Sequence, residues 1–297
     1  MAELITAMVT IFKDDLSVDY EACADLACFL INNGSDGLVV SGTTGESPTL
    51  TDEEKLNLFS NIKEAVGSDV QVIAGTGSNS TVASKKLTIE AEHTGVDGVM
   101  LVSPYYNKPP QNGLIEHFKT IAEKSKLPII LYNVPSRTGS NIEANTTITL
   151  SKIDNIVAIK EASGDVAQIE KIINNTSEDF KLYSGDDGTT FDIMKLGGNG
   201  VISVASHIIG NKIKEMLNLC QNNNFEEAEK LNNKLMPVFK GLFNTTNPIL
   251  VKAGLELIGQ QGGPLRLPLV KETKEENEQL KELLSAFGLL KQSLNVK

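Results

Sequence analysis

Cysteine is scarce in this chain: three residues in 297, at Cys23, Cys28 and Cys220. The number is odd and no two form a C-x-x-C pair, which argues against a disulfide framework and a thiolate zinc site. Reduced thiols packed in the core of a cytosolic protein are expected. Long apolar runs are missing as well. No stretch approaches the roughly 20 apolar residues that span a bilayer, so no membrane segment is expected. The first residues lack a basic patch followed by an apolar run, so no signal peptide is expected either. Basic charge is in deficit: 27 Lys and Arg stand against 38 Asp and Glu, a formal net charge of -11. Nucleic acid is therefore not an expected partner, because phosphate contact needs a basic patch. The three histidines, His93, His117 and His207, are not spaced as metal ligands. They read as helix-end or surface residues, and no metal is expected. No low-complexity linker interrupts the chain.

What is present describes a globular α/β protein. Hydrophobic residues make up 40% of the chain and charged residues 22%, and a chain of this length buries a core without staples. Short apolar, β-branched runs recur at Met8–Phe12, Gly37–Ser41, Val70–Ala74, Gly98–Val102, Ile129–Tyr132, Ile156–Ile159, Lys181–Tyr183 and Gly200–Val204. Most lack polar alternation, as strands buried on both faces of a parallel sheet do. Segments long enough for crossover helices separate them, among them Asp19–Asn32, Asp52–Val66, Thr81–His93 and Leu114–Lys124. Thr51-Asp52-Glu53-Glu54 is a capping box at one helix start. A Gly-x-(Asp/Asn)-Gly pattern recurs at Gly34–Gly37, Gly95–Gly98 and Gly197–Gly200. Its first glycine suits the left-handed cap of a helix and its second the turn into a strand. An open doubly wound sheet uses the same joints. Eight strands at a roughly 25–30-residue spacing favour a (β/α)₈ TIM barrel. Beyond about residue 210 the signal turns helical, at Ile213–Cys220, Phe225–Phe243, Asn247–Ile258 and Glu275–Leu290. The expected organisation is a catalytic barrel over 1–224 and a C-terminal helical extension over 225–297.

In such a barrel, catalytic groups sit at the C-terminal ends of the strands. Ser41-Gly42-Thr43-Thr44-Gly45-Glu46 follows the second run, where two glycines let backbone and hydroxyl donors approach an anion. Ser103-Pro104-Tyr105-Tyr106-Asn107 follows the fourth, and Tyr132-Asn133-Val134-Pro135-Ser136-Arg137-Thr138-Gly139 closes the fifth. Lys160 closes the sixth, after Ile156-Val157-Ala158-Ile159. An ammonium held among apolar neighbours loses hydration and its pKa falls, and the neutral amine forms imines with carbonyl compounds. Taken singly, each residue has a plainer reading. Lys160 can snorkel to solvent, Tyr132 can pack with a wet hydroxyl, and Arg137 can sit on the surface or in an ion pair.

In combination the motifs say more. Gly42-Thr43-Thr44-Gly45-Glu46-Ser47, Pro104-Tyr105-Tyr106-Asn107-Lys108-Pro109, Tyr132–Gly139, Ile159-Lys160-Glu161-Ala162, Ser184-Gly185-Asp186-Asp187 and Asn247-Pro248 occur in this order. Over nearly its whole length the chain resembles the dihydrodipicolinate synthase family of the pyruvate-dependent class I aldolases. It departs at Thr10-Ile11-Phe12, where family members usually carry Thr-Pro-Phe. The resemblance implies that Lys160 forms an imine with pyruvate and that Tyr132 shuttles protons. Thr43 would link Tyr132 to a Tyr106 contributed by the adjacent subunit. Thr43 and Thr44 would hold the pyruvate carboxylate, and Arg137 the carboxylate of L-aspartate 4-semialdehyde. Gly185 and Ile202 would line the pyruvate pocket through their backbones. It further implies a cytoplasmic homotetramer built from tight dimers, acting in lysine and diaminopimelate biosynthesis with no cofactor.

The family's allosteric lysine site maps to Ser47, Pro48, Asp52, Lys55, Asn79, Ala83 and Tyr105. Sensitive bacterial members carry glutamate where this chain has Ala83, and histidines where it has Asp52 and Lys55. The site here reads as degenerate, with weak or absent feedback inhibition. A keto-sugar-acid aldolase on the same scaffold is the nearest alternative, and such enzymes generally lack Arg137. A non-catalytic barrel is a second alternative, against which the intact set Thr43, Tyr106, Tyr132 and Lys160 argues.

Overall fold

Eight parallel strands close on themselves in sequence order, β1 to β8, in a computed structural model that describes residues 3–290. The strands are β1 Glu3–Ala7, β2 Gly37–Val40, β3 Gln71–Gly75, β4 Gly98–Val102, β5 Ile129–Asn133, β6 Ile156–Glu161, β7 Lys181–Ser184 and β8 Gly200–Ser203. The ring closes through β1, where Ile5 pairs with Gly37 of β2 on one side and Ile202 of β8 on the other. The expected barrel is thus the fold. Seven of the eight expected runs fall on strands to within a residue or two.

The first run does not. Met8–Phe12 was expected as the strand, but the ladder is carried by Glu3–Ala7. Met8–Phe12 lies just beyond it, and side chains take up much of its backbone. The Val9 N–H donates to His207 Nε2 (3.2 Å) and the Ile11 N–H to Cys23 Sγ (3.2 Å). An apolar run reports burial, and a buried connector satisfied by side chains carries the same signal as a strand.

Alternation along each strand divides the core into two shells. Ile5, Val39, Ile73, Met100, Ile130, Tyr132, Ala158, Tyr183 and Ile202 point inward and fill the barrel. Leu4, Leu38, Val72, Leu101, Leu131, Ile159, Leu182 and Val201 point outward and pack under the helices. Each such fully buried aliphatic side chain contributes roughly 1.5–3 kcal/mol.

The helical layer follows the sequence signals closely. Thr51 and Glu54 form the expected capping box ahead of Asp52–Val66. Gly34, Gly95 and Gly197 all have positive φ, at +100°, +81° and +99°, as the repeated helix-to-strand joint requires. At the joint's second glycine the constraint is close approach: a Cβ on Gly200 would lie 2.1 Å from the Glu3 carbonyl oxygen. The helix expected at Ile213–Cys220 begins earlier, at Ser206, and the one expected at Glu275–Leu290 ends at Ala286. Helices Phe225–Gly241, Ile249–Leu257 and Lys274–Ala286 follow, and their Val238, Leu250, Val251 and Leu280 join the outer core shell. The last seven residues of the expected extension lie outside the described residues.

Two histidines and one cysteine correct the sequence reading. His117 and His207 are buried, and burial pushes both imidazoles down to about 4. Each is therefore neutral at physiological pH. His207 Nε2 accepts from Val9, so its Nδ1 carries the proton and donates to the Val204 carbonyl (2.8 Å). His117 Nδ1 lies 2.8 Å from the Thr81 hydroxyl. Cys28, expected in the core, is exposed, while Cys23 and Cys220 are buried. Among the described residues no helix is long and apolar enough to cross a membrane.

Candidate active site

Lys160 lies within β6 and not just beyond it, because the strand runs on to Glu161. Strand alternation then aims Lys160 into the barrel and Glu161 outward. Its register partners are Tyr132 on β5 and Tyr183 on β7. The Lys160 side chain is buried, and its Nζ stands 4.5 Å from the centroid of the Tyr132 ring. Burial pushes the amine down to about 8, with the Arg137 charge adding to the effect and Asp187 and Asp186 opposing it. Removal from water dominates because a bare ammonium in an apolar barrel has few dipoles to replace its hydration shell.

Tyr132 is also buried, and burial raises its hydroxyl above the usual tyrosine range. The Arg137 charge and a hydrogen bond with the Thr43 side chain act against that rise. The phenol therefore keeps its proton at neutral pH and can pass it on. Thr43 belongs to the turn after β2, which is closed by Gly45 N–H to the Gly42 carbonyl (3.1 Å) and Glu46 N–H to the Thr43 carbonyl (3.1 Å). Thr44, next in the turn, is buried and accepts from Asn247 Nδ2 (2.9 Å).

Arg137 sits on the helical turn Pro135–Thr138 after β5, which Pro135 opens and Gly139 ends at φ +67°. The residue is exposed. Gly185, after β7, has no room for a side chain: a Cβ would come within 2.7 Å of Ala162 Cβ and 3.2 Å of Lys160 Cε. Ile202 is buried in the inner shell.

Thr43, Tyr132 and Arg137 line one cavity of about 230 Å³, together with Ser47, Pro48, Lys55 and Tyr105. Lys160, Thr44, Gly185 and Ile202 do not line it, and Lys160 adjoins it through the Tyr132 ring. Tyr106 stands apart, 88% exposed at φ +73°. Asp52, Asn79 and Ala83 also lie off the cavity wall. Asn79 Nδ2 donates to the Tyr105 carbonyl (3.2 Å), and the charge of Asp52 acts on Lys55.

The model of the dihydrodipicolinate synthetase family matches residues 1–287. The chain belongs to that family. It is 52% identical over 286 residues to 4-hydroxy-tetrahydrodipicolinate synthase of Heliobacterium modesticaldum, covering 96% of this chain and 95% of that one. Among solved structures it is similar to dihydrodipicolinate synthase from Bacillus anthracis, with a TM-score of 0.94 and 48% identity over 96% of this chain and 98% of the other. It is equally similar to the enzyme from Cyanidioschyzon merolae solved with lysine bound, with a TM-score of 0.95 and 48% identity over 97% and 99% of the two chains.

Several buried charged residues of this dihydrodipicolinate synthetase family member have no role assigned from the sequence. Asp187 is buried and accepts from Ser203 Oγ (2.5 Å), Val204 N–H (3.1 Å) and Ala205 N–H (2.9 Å), tying the turn after β7 to the C-terminal end of β8. Glu161, also buried, accepts from Asn133, Ser163 and Gln168 and joins the ends of β5 and β6. Lys252 and Glu46 form an ion pair at 2.9 Å, with side chains only 3% and 1% exposed. Lys252 does leave a trace in the sequence, as a lone cation inside the apolar helix Ile249–Leu257. Buried charge is rare unless paired, so such a lysine calls for a partner. Nothing in the sequence says that the partner is some 200 residues earlier.

Proposed function

We propose that this family member condenses pyruvate with L-aspartate 4-semialdehyde through an imine on Lys160, as a 4-hydroxy-tetrahydrodipicolinate synthase of the class I aldolase type. The observation that carries the proposal is the buried Lys160 amine, lowered to about 8 and held beside the Tyr132 ring. An amine with this pKa is neutral often enough at neutral pH to attack a ketone.

The Lys160 nitrogen adds to the pyruvate carbonyl carbon, and water leaves as the imine forms. A methyl proton is then lost, giving an enamine. The enamine carbon attacks the semialdehyde's aldehyde carbon. The semialdehyde's own amino group then displaces Lys160 from the imine carbon, closing the ring and freeing the enzyme. Each stage moves a proton, and in this reading the Tyr132 hydroxyl carries it, which its hydrogen bond with Thr43 supports. In this reading Thr43 and Thr44 receive the pyruvate carboxylate, with the backbones of Gly185 and Ile202 around it. Arg137 takes the second substrate's carboxylate at the rim, where a guanidinium fork matches it. No organic cofactor is needed, because the protonated imine is the electron sink.

The same proposal makes Tyr106 a gift from one subunit to the next, in a cytoplasmic homotetramer of tight dimers. Its 88% exposure in the single chain supports that reading, as does Val82 at 72%. It also divides the chain at 224/225 into catalytic barrel and helical extension. Ser47, Pro48, Asp52, Lys55, Asn79, Ala83 and Tyr105 are the counterpart of a lysine site, weakened by a Lys55 cation on the cavity wall and by Ala83 where a carboxylate would pair with the ligand.

Reduction with borohydride in the presence of pyruvate tests the mechanism. Peptide mass mapping should find the adduct on Lys160, and Lys160→Ala should not be trapped. An unmodified Lys160 after reduction would overturn the reading.

A further inference from the structure

The turn that carries Thr43 and Thr44 is held from behind by a buried charge node, and most of that node comes from the C-terminal helical region. Glu46, the last residue of the turn, adopts left-handed backbone angles (φ 55°, ψ 35°), which a residue with a Cβ rarely takes up unaided. Its carboxylate is fully engaged. Oε1 accepts from Lys252 Nζ (2.9 Å), and Oε2 accepts from the Arg266 backbone N–H (3.0 Å). Lys252 also donates to the carbonyls of Thr10 (3.0 Å) and Pro264 (2.6 Å). Thr10 in turn donates its hydroxyl to the Gly45 carbonyl (2.7 Å), inside the same turn. Thr44 is reached directly by Asn247, five residues before Lys252. The Lys252 ammonium and the Arg266 guanidinium both lie over the Phe12 ring, at 4.8 and 4.3 Å.

Fold stability is a weak reason for such an arrangement. A buried ion pair gains little over well-packed apolar residues of the same volume, because desolvation offsets the attraction. What a buried pair with every donor engaged does provide is a single geometry. Here that geometry is imposed on the two residues whose hydroxyls must meet a carboxylate.

We infer that Lys252 and Glu46 are positioning residues for pyruvate: the pair fixes the Gly42–Glu46 turn so that Thr43 and Thr44 present their hydroxyls to the substrate carboxylate. The inference rests on the proposed role of those threonines. It gives the C-terminal helical region a part in catalysis, since Lys252 and Asn247 both belong to it.

A mutant cycle tests it on the full-length enzyme. Lys252→Met keeps the length of the side chain and removes its charge. It should raise the pyruvate KM about tenfold, the scale of one lost charge-assisted hydrogen bond. The semialdehyde KM and the borohydride trapping of Lys160 at saturating pyruvate should stay near wild type. Thr44→Val should raise the pyruvate KM comparably, and Lys252→Met made on that background should add less than about twofold, because both changes act through one contact. Glu46→Gln, a milder change, should shift the same KM in the same direction, and it carries the test if Lys252→Met does not fold. If Thr44→Val leaves the pyruvate KM unchanged, the carboxylate assignment of the turn fails. If Thr44→Val raises it while Lys252→Met and Glu46→Gln do not, or if the effects simply multiply, the positioning role fails.

Discussion

Replacing Lys160 by methionine should destroy activity and at the same time stabilise the fold. The amine lies wholly inside the barrel, and burial has moved it from an ordinary lysine value of 10.5 to about 8. At pH 7 the folded protein nevertheless carries mostly the ammonium, held where it is poorly solvated. A displacement of this size corresponds to about 3 kcal/mol of unfavourable burial, at about 1.4 kcal/mol per pKa unit. Methionine has nearly the same length and volume and no charge to desolvate. Lost contacts to Tyr132 and to the nearby carboxylates offset part of the gain. A net stabilisation of about 1–3 kcal/mol is therefore expected, or several degrees in Tm for a chain of this size.

The pH dependence separates this cause from generic repacking. Below pH 8 both folded and unfolded wild-type chains are protonated at Lys160, and the folded state bears the whole penalty. Between about 8 and 10.5 the folded state gives up its proton first, so the unfolded state binds more protons and wild-type stability rises with pH. The advantage of Lys160→Met should thus be largest near pH 7 and shrink steadily towards pH 10. Thermal or urea unfolding of both proteins across that range provides the measurement. A variant less stable than wild type at pH 7, or an advantage that does not vary with pH, would refute the argument that desolvation tunes this amine.

Other outcomes follow from the proposed site. Arg137→Ala should lower kcat/KM for the semialdehyde by roughly tenfold to a hundredfold, the range of a lost charge-assisted carboxylate contact, and should change pyruvate loading far less. Equal losses for both substrates would make Arg137 structural. Tyr106→Phe should fold normally and turn over slowly, and mixing it with Lys160→Ala subunits should restore activity in hybrid dimers. Demonstrated subunit exchange without rescue would count against a shared site. L-Lysine titrated to tens of millimolar should inhibit weakly, with half-inhibition no lower than about a millimolar, given the Lys55 cation and the Ala83 position. Sub-millimolar inhibition would show that other groups supply the missing pairing.

Local signals made a large part of the fold legible. Capping at Thr51, the left-handed glycines at Gly34, Gly95 and Gly197, and the unalternated apolar runs are each fixed by a few neighbouring residues, and the structure realises the cap, the three glycines and seven of the eight runs. Their spacing already pointed to eight strand–helix units. The first strand differs from the expectation because Leu4–Ala7 and Met8–Phe12 are both buried, and composition does not tell a laddered backbone from one satisfied by His207 and Cys23. The family was legible in the order of the motifs.

The state of those residues was decided by tertiary structure. Lys160 in the sequence is compatible with a solvated strand-end lysine. Closure of the barrel removes its water and lowers its pKa, and it brings Tyr132 and Lys160, 28 positions apart, into register. Glu46 and Lys252 are further extremes, joined across 206 positions. Propensity and patterning act over a few residues, so the sequence by itself determined most of the strands and helices and their order. Desolvation and charge pairing depend on what surrounds a group in space, so only the closed barrel with its C-terminal helices could determine which amine loses its water and what holds the threonine turn in place.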